Sequence, residues 1–77
     1  MLREQRLLAA RTRRYRAQRR LSVSELSLIS GVSPRTIKRI EASDMTEGGY
    51  DPKLSTIANL ASAFDISLTE LTQPAVV

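Results

Sequence analysis

Residues 21–41 read Leu21-Ser22-Val23-Ser24-Glu25-Leu26-Ser27-Leu28-Ile29-Ser30-Gly31-Val32-Ser33-Pro34-Arg35-Thr36-Ile37-Lys38-Arg39-Ile40-Glu41, and their spacing decides the fold. Ser22 stands three residues ahead of Glu25 at the head of an apolar periodic run, the pattern of a reciprocal capping box. It predicts a helix over 23–30 with Leu26 and Ile29 turned inward. Gly31 ends that helix, because glycine enters the left-handed region without a Cβ penalty. Ser33-Pro34 then opens another. The serine hydroxyl caps it, and proline at the first helical position gives up an amide that would be unpaired there anyway. This helix is expected over 34–42 with Ile37 and Ile40 inward. A turn of about three residues joins the pair, which is the spacing of a helix-turn-helix.

The pattern stays helical on both sides of this segment. Upstream, a first helix is expected from near Leu2 to about Arg19, with Leu8, Thr12 and Tyr15 on one inward face at i, i+4 and i+7. Arginine is a good helix former, so the density of arginines there does not oppose the reading. Downstream, residues 42–51 read as a loop broken by Gly48-Gly49. Asp51 is expected to cap a fourth helix with Pro52 at its first position, and Leu54, Ile57, Ala58, Ala61 and Phe64 form its apolar stripe. Ser67 and Glu70 suggest another capping box, opening a short fifth helix that holds Leu68 and Leu71 and stops at Gln73-Pro74. Nothing alternates with period two long enough to form a strand. The expected fold class is all-α: five short helices around an aliphatic core, in one domain over 1–77, with the helix-turn-helix at 22–42.

Composition narrows the chemistry. The chain of 77 residues has neither cysteine nor histidine. Disulfides, thiolate metal sites and imidazole catalysis are therefore excluded, and no cofactor or metal is expected. A glycine-rich phosphate loop and a carboxylate pair in a plausible cleft are also lacking, so an enzyme is not expected. No apolar run approaches the about 18 residues of a membrane span, and the N-terminus is too polar for a signal peptide. Cytoplasmic residence, close to the nucleoid of a bacterial or phage-infected cell, is the resulting expectation. Charge is uneven. Residues 1–20 hold eight arginines against Glu4 alone, a balance of +7, whereas residues 21–77 hold four basic and seven acidic residues, a balance of −3. The basic island at 35–39 interrupts that acidic remainder, and the asymmetry suggests a polyanionic partner.

The stretch 21–41 resembles the Cro/cI-type helix-turn-helix family of phage repressors and bacterial regulators. Leu21, Ser22, Glu25, Leu26, Gly31, Val32, Ser33, Ile37, Ile40 and Glu41 carry the likeness. It continues in Pro52 through Leu71, similar to the family's fourth and fifth helices, and covers roughly residues 12–72 with Arg16 included. The resemblance implies a lambda-repressor-like domain of five helices, here with an extended Arg-rich first helix. It also implies that Arg16 pairs with Glu41 in a structural salt bridge. Four features depart from the family. Val23 replaces a glutamine that braces the recognition helix and touches a phosphate. Ser27 replaces alanine at the close approach of the two helices. The 42–51 loop is longer than usual and carries Asp44, Glu47 and Asp51. The first helix carries about ten extra residues, rich in arginine, at its front.

In that geometry the helix over 34–42 enters the major groove of double-stranded DNA. Arg35 and Arg39, one turn apart, are the candidates for base contact, since arginine grips guanine O6 and N7 with two hydrogen bonds. Lys38 suits a phosphate better, its ammonium being compact and strongly hydrated. Thr36 and Ser33 are phosphate candidates, and Pro34 offers apolar contact alone. The amides after Ser22 form a natural phosphate site at a helix N-terminus, with Arg19 and Arg20 beside it. For those two arginines, plain solvent exposure is an equal reading.

The implied function is sequence-specific transcription regulation, as a repressor or controller protein reading a pseudo-palindromic operator as a homodimer. The dimer surface is expected within 54–77, through Leu60, Leu68, Leu71 and the tail Ala75-Val76-Val77. Leu60 and Leu71 fit a role in finishing the core equally well. The alternative function is an antitoxin or interaction adapter with the helix-turn-helix as scaffold. The extra arginines then bind an acidic protein partner, where the first reading lays them along phosphates.

Overall fold

The computed structural model describes residues 3–43 and 51–72, with side chains from Leu7 onward. Five helices follow one another: α1 (Arg3–Gln18), α2 (Val23–Ser30), α3 (Pro34–Glu41), α4 (Leu54–Ala63) and α5 (Leu68–Thr72). No strand occurs among the described residues. The main packings close into a ring: α1 lies on α3, α3 on α2, α2 on α4, α4 on α5, and α5 back on α1. Every helix but α5 is at least two turns long, and each turns one buried stripe to the centre of the ring.

That centre is aliphatic, built from Leu8, Leu26, Ile37, Ile40, Leu60 and Leu71 around the single buried ring of Phe64. Thr12 and Ser43 are the buried polar side chains, and both are satisfied within their own turns. Thr12 Oγ1 donates to the Leu8 carbonyl at 2.7 Å, and Ser43 Oγ donates to the Ile40 carbonyl at 2.7 Å. Leu8, Thr12 and Tyr15 do share the inward face of α1.

Three expectations need correction. Ile29 is 57% exposed, and Leu28 beside it 84%. The inward line of α2 is Val23, Leu26, Ser27 and Ser30, at i, i+3, i+4 and i+7. Two of its members are small and polar, so apolar periodicity points to the wrong neighbour. The serines leave room for α3 and α4 to approach, and Ser30 Oγ donates to the Leu26 carbonyl at 2.7 Å. Second, Asp51 does not cap α4. Pro52 is buried and precedes the helix, Lys53 is the extended N-cap residue, and no side chain caps the first turn. Packing of the proline ring thus delays the helix by two residues, leaving the Asp51 carboxylate beyond its amides. Third, the stripe of α4 runs Ile57, Leu60, Ala61, Phe64; Leu54 is 67% exposed and Ala58 is exposed.

Leu60 and Leu71 are fully buried inside the domain, so they finish the core and are withdrawn from any dimer surface. Residues 44–50 of the expected 42–51 loop, and the tail after Thr72, lie outside the described residues. The Ser22–Glu25 capping box closes in both directions, whereas at Ser67 the structure shows the serine half. Glu25 N–H donates to Ser22 Oγ at 3.0 Å while Ser22 N–H donates to Glu25 Oε1 at 2.9 Å, and Ser67 Oγ accepts from Glu70 N–H at 3.1 Å.

Two helix ends use a residue the sequence does not advertise. Arg20 after α1 and Asp65 after α4 sit at φ 54° and 58°. At each, the following residue's amide reaches back five positions: Leu21 N–H donates to the Arg16 carbonyl at 3.1 Å and Ile66 N–H to the Ala61 carbonyl at 3.0 Å. These are Schellman terminations, with the apolar residue after the left-handed one packed against the core. Glycine is the usual occupant of that position, so both residues store backbone strain. Gly31, at φ 76°, ends α2 as expected.

Candidate functional site

The site is assembled around α3. Ser33, in an extended conformation, caps it by accepting from Thr36 N–H at 3.2 Å, and its hydroxyl donates to Thr36 Oγ1 at 2.9 Å. Pro34 occupies the first turn, where it costs no hydrogen bond. Ile37 and Ile40 are fully buried. At about 100° per residue, Arg35, Lys38, Arg39 and Ala42 fall on the opposite side as one i, i+3, i+4, i+7 stripe, and all four are exposed. An amphipathic helix of eight residues thus buries two isoleucines and presents three cations outward. Ser33 and Pro34 are exposed at its leading end, and Thr36 is half-buried on its flank.

Ser22 and Arg20 lie exposed in the connection leading to α2. The capping box puts the Glu25 carboxylate on the Ser22 amide, and these hydrogen bonds hold Glu25 below its ordinary pKa. An anion therefore already stands at part of the α2 N-terminus. Arg19 is placed elsewhere. Its guanidinium sits 5.2 Å from the Tyr15 ring centroid and 5.6 Å from that of Phe64, and its Nη2 donates to the Phe64 carbonyl at 2.6 Å. That carbonyl belongs to the C-terminal end of α4. The structure does not bring Arg19 together with the α3 stripe.

Arg16 and Glu41 make a two-point ion pair. Arg16 Nε donates to Glu41 Oε2 at 2.7 Å and Nη2 to Oε1 at 2.9 Å, while Nη1 donates to the Leu21 carbonyl at 2.9 Å. The side chains keep 25% and 11% of their surface exposed. Hydrogen bonding to the Glu41 carboxylate raises the Arg16 pKa from its ordinary value.

Arg19, one residue past the end of α1, joins Arg11 and Arg13 of that helix in reaching a helix end. Arg13 Nη1 donates to the Glu41 carbonyl at the end of α3, and Arg11 Nη1 donates to the Glu70 carbonyl of α5 at 2.8 Å. The C-termini of α3 and α4, and the short α5, thus each receive a guanidinium from α1 or from the residue just past it, where unpaired carbonyls and the negative end of the helix dipole favour a cation. The sequence offers Arg19 equally to a phosphate or to solvent, and marks Arg11 and Arg13 only as part of the basic charge of residues 1–20. One signal was present: Arg19 continues the Leu8, Thr12, Tyr15 line at i+11, the inward side of α1. Arg11 lies on the same line, at i+3 from Leu8, whereas no such periodicity marks Arg13. Arg14, on the outer side of α1, is exposed.

No group of histidine, cysteine, aspartate or glutamate able to hold a metal occurs among the described residues, and no helix there is long and apolar enough to cross a membrane. A family model described as helix-turn-helix matches residues 13–71. No curated protein and no solved structure matches the chain.

Proposed function

Because the chain belongs to the Cro/cI-type helix-turn-helix family, whose members bind DNA, we propose that it regulates transcription by sequence-specific binding of double-stranded DNA, with α3 in the major groove. The observation that carries this reading is the outward stripe of Arg35, Lys38 and Arg39 on a helix whose other side is anchored by Ile37 and Ile40. Arg35, nearest the N-terminal end, is the first base reader and Arg39 the second, each selecting guanine with a discrimination of roughly 1–3 kcal/mol. Lys38, Thr36, Ser33 and the backbone amides near Ser22 serve phosphates, and Pro34 offers an apolar face to a thymine methyl. Arg20 adds charge beside α2. Arg19 leaves the set, since its guanidinium already serves the end of α4.

One domain of this size covers little DNA, so binding proceeds as a two-fold dimer on a pseudo-palindrome, the arrangement of a repressor or controller protein. Leu68 is the apolar residue of α5 left at the surface for such an interface.

Selection of bound duplexes from a random pool tests the reading. The expected result is a palindrome with guanines at fixed positions, and a binding constant that falls with salt at a slope of about −0.9 per phosphate contact. A pool without enrichment, or binding indifferent to salt, refutes it. One observation favours an adapter or antitoxin instead: Leu28 and Ile29 form adjoining apolar surface on α2. The triple change Arg35→Ala/Lys38→Ala/Arg39→Ala separates the two. Activity in cells that survives loss of DNA binding supports the adapter.

A further inference from the structure

We infer that the hydroxyl of Thr36 is the phosphate donor at the leading end of α3, and that Ser33 serves the same phosphate through Thr36, as the positioning residue that aims and polarises its proton. The inference rests on the proposed DNA-binding reading and deepens it. That reading gives both hydroxyls to phosphates, whereas the hydrogen bonds leave one proton between them.

Ser33 Oγ accepts from Thr36 N–H at 3.2 Å, which closes the cap, and donates to Thr36 Oγ1 at 2.9 Å. A hydroxyl carries one proton and two lone pairs. The Ser33 proton is therefore committed inside the pair, and the Thr36 proton is the one left to donate. A helical serine or threonine ordinarily turns that proton back to a carbonyl of the preceding turn. Thr12, Ser30 and Thr72 do so, donating to the carbonyls of Leu8, Leu26 and Leu68 at 2.7, 2.7 and 2.9 Å. Thr36 departs from them. Its Oγ1 is turned to Ser33, and its proton meets no acceptor among the described residues. The cap requires the Ser33 oxygen alone, so the bond between the two hydroxyls adds nothing to it. What that bond does is complete a series, Thr36 N–H to Ser33 O–H to Thr36 O–H. Each donation polarises the next and strengthens the last as a donor to an anion.

Position then selects phosphate over base. At about 100° per residue, Thr36 lies about 100° round α3 from Arg35 and about 60° from Arg39, off the centre of the outward stripe. It is half-buried there, with Ser33 exposed beside it. The major groove is about 12 Å wide, and a helix with its side chains is about 10–12 Å across. A helix seated in the groove fills it, with its central stripe on the base edges and its flanks against the sugar-phosphate walls. Little gap remains at the flank, so a side chain as short as threonine reaches a phosphate oxygen.

The test uses the whole chain and the duplex recovered by site selection, with phosphates replaced one at a time by neutral methylphosphonates. Thr36→Val removes the hydroxyl and keeps the shape. Ser33→Gly removes the other hydroxyl at little cost to the helix, since glycine is tolerated at an N-cap. Thermal unfolding of each variant reports the fold separately. Thr36→Val is expected to bind the unmodified duplex about tenfold more weakly per half-site. It should also lose the parent's response to one particular phosphate in each half-site. Thr36→Ser keeps that response. Ser33→Gly loses a smaller part of the affinity and blunts the response at the same phosphate, and the double variant binds no more weakly than Thr36→Val.

Three results overturn the inference. Responses lost at two different phosphates, with losses that add in the double variant, make Ser33 a ligand in its own right. A response lost in Ser33→Gly but kept in Thr36→Val places the free proton on Ser33. A weakening in Thr36→Val that leaves every phosphate response intact and accompanies a lowered melting temperature makes the hydroxyl a part of the fold alone. Failure of the DNA-binding reading is distinct from these: the unaltered chain then selects no duplex, and the inference falls with that reading.

Discussion

Replacing Glu41 with alanine removes the acceptor of two charge-assisted hydrogen bonds, at 2.7 and 2.9 Å, and leaves the Arg16 guanidinium with the Leu21 carbonyl alone. Breaking a fully buried ion pair costs about 3–5 kcal/mol, and an exposed one about 0.2–1 kcal/mol. The Arg16 side chain keeps 25% of its surface and Glu41 keeps 11%, so water reaches the orphaned cation. The loss therefore falls between those limits, at about 2–3 kcal/mol. For a domain of this length that lowers the melting temperature by about 10–20 °C. Arg16→Met costs more, because the bond to the Leu21 carbonyl goes as well and the α1–α2 connection loosens with it. The double variant costs less than the sum of the two, by about 1–2 kcal/mol, as contacting partners do. Thermal and urea unfolding followed by far-ultraviolet circular dichroism gives all three values. DNA affinity of Glu41→Ala, measured in the cold where the domain is still folded, should lie within a few-fold of the parent. A melting shift below about 3 °C together with loss of DNA binding refutes the reasoning, for Glu41 then acts on DNA directly and not through the fold.

Further outcomes follow from the same geometry. Leu26→Ala should destabilise by about 2–5 kcal/mol, because Leu26 is wholly buried, whereas Ile29→Ser should stay within about 0.5 kcal/mol in urea unfolding; the reverse order would restore the inward reading of Ile29. Arg19→Met should lower stability by about 1–2 kcal/mol through loss of the Phe64 carbonyl bond and the two ring contacts, yet leave the salt slope of DNA binding unchanged. A slope shallower by about one would return Arg19 to the phosphates. The Glu25 carboxyl titrates below its ordinary value of 4.5 in the folded chain, chiefly because it accepts from the Ser22 amide. A depressed carboxylate contributes stability that is present above the unfolded value and lost as pH falls through the folded one. Glu25→Gln should therefore flatten the decline of stability between about pH 5 and pH 3, and an acid-unfolding curve that keeps its slope would show that Glu25 contributes nothing there.

Much of the local structure was legible because it is decided within a few residues. Ser22 with Glu25, Gly31, and Ser33 with Pro34 each act on amides or dihedrals of their own turn, and the bounds of α2 follow from them to the residue. Side chains that serve a distant element were not legible from local pattern; the Arg16–Glu41 pair and the place of Ser27 came from the family resemblance alone. Ser27 and Ser30 line the inside of α2 because neighbouring helices come close there, a fact no hydropathy pattern contains. Pro52 looks like a helix start until the core takes its ring. Arg20 and Asp65 adopt left-handed conformations for the sake of Leu21 and Ile66, whose places belong to the core.

The charge of α1 shows the division best. The sequence alone determines that the first twenty residues are strongly basic, and the arginines of 35–39 stand where periodicity puts them, on the outer side of α3. Tertiary structure decides how the α1 charge is used. Arg11, Arg13 and Arg19 reach carbonyls of α5, α3 and α4, which lie between 28 and 59 residues away along the chain. The physical reason is that a helix end leaves its carbonyls unpaired, and any cation within reach lowers their energy whatever its distance in sequence. Which arginine reaches which helix end depends on the closed ring of packings, and that exists only once the core has formed.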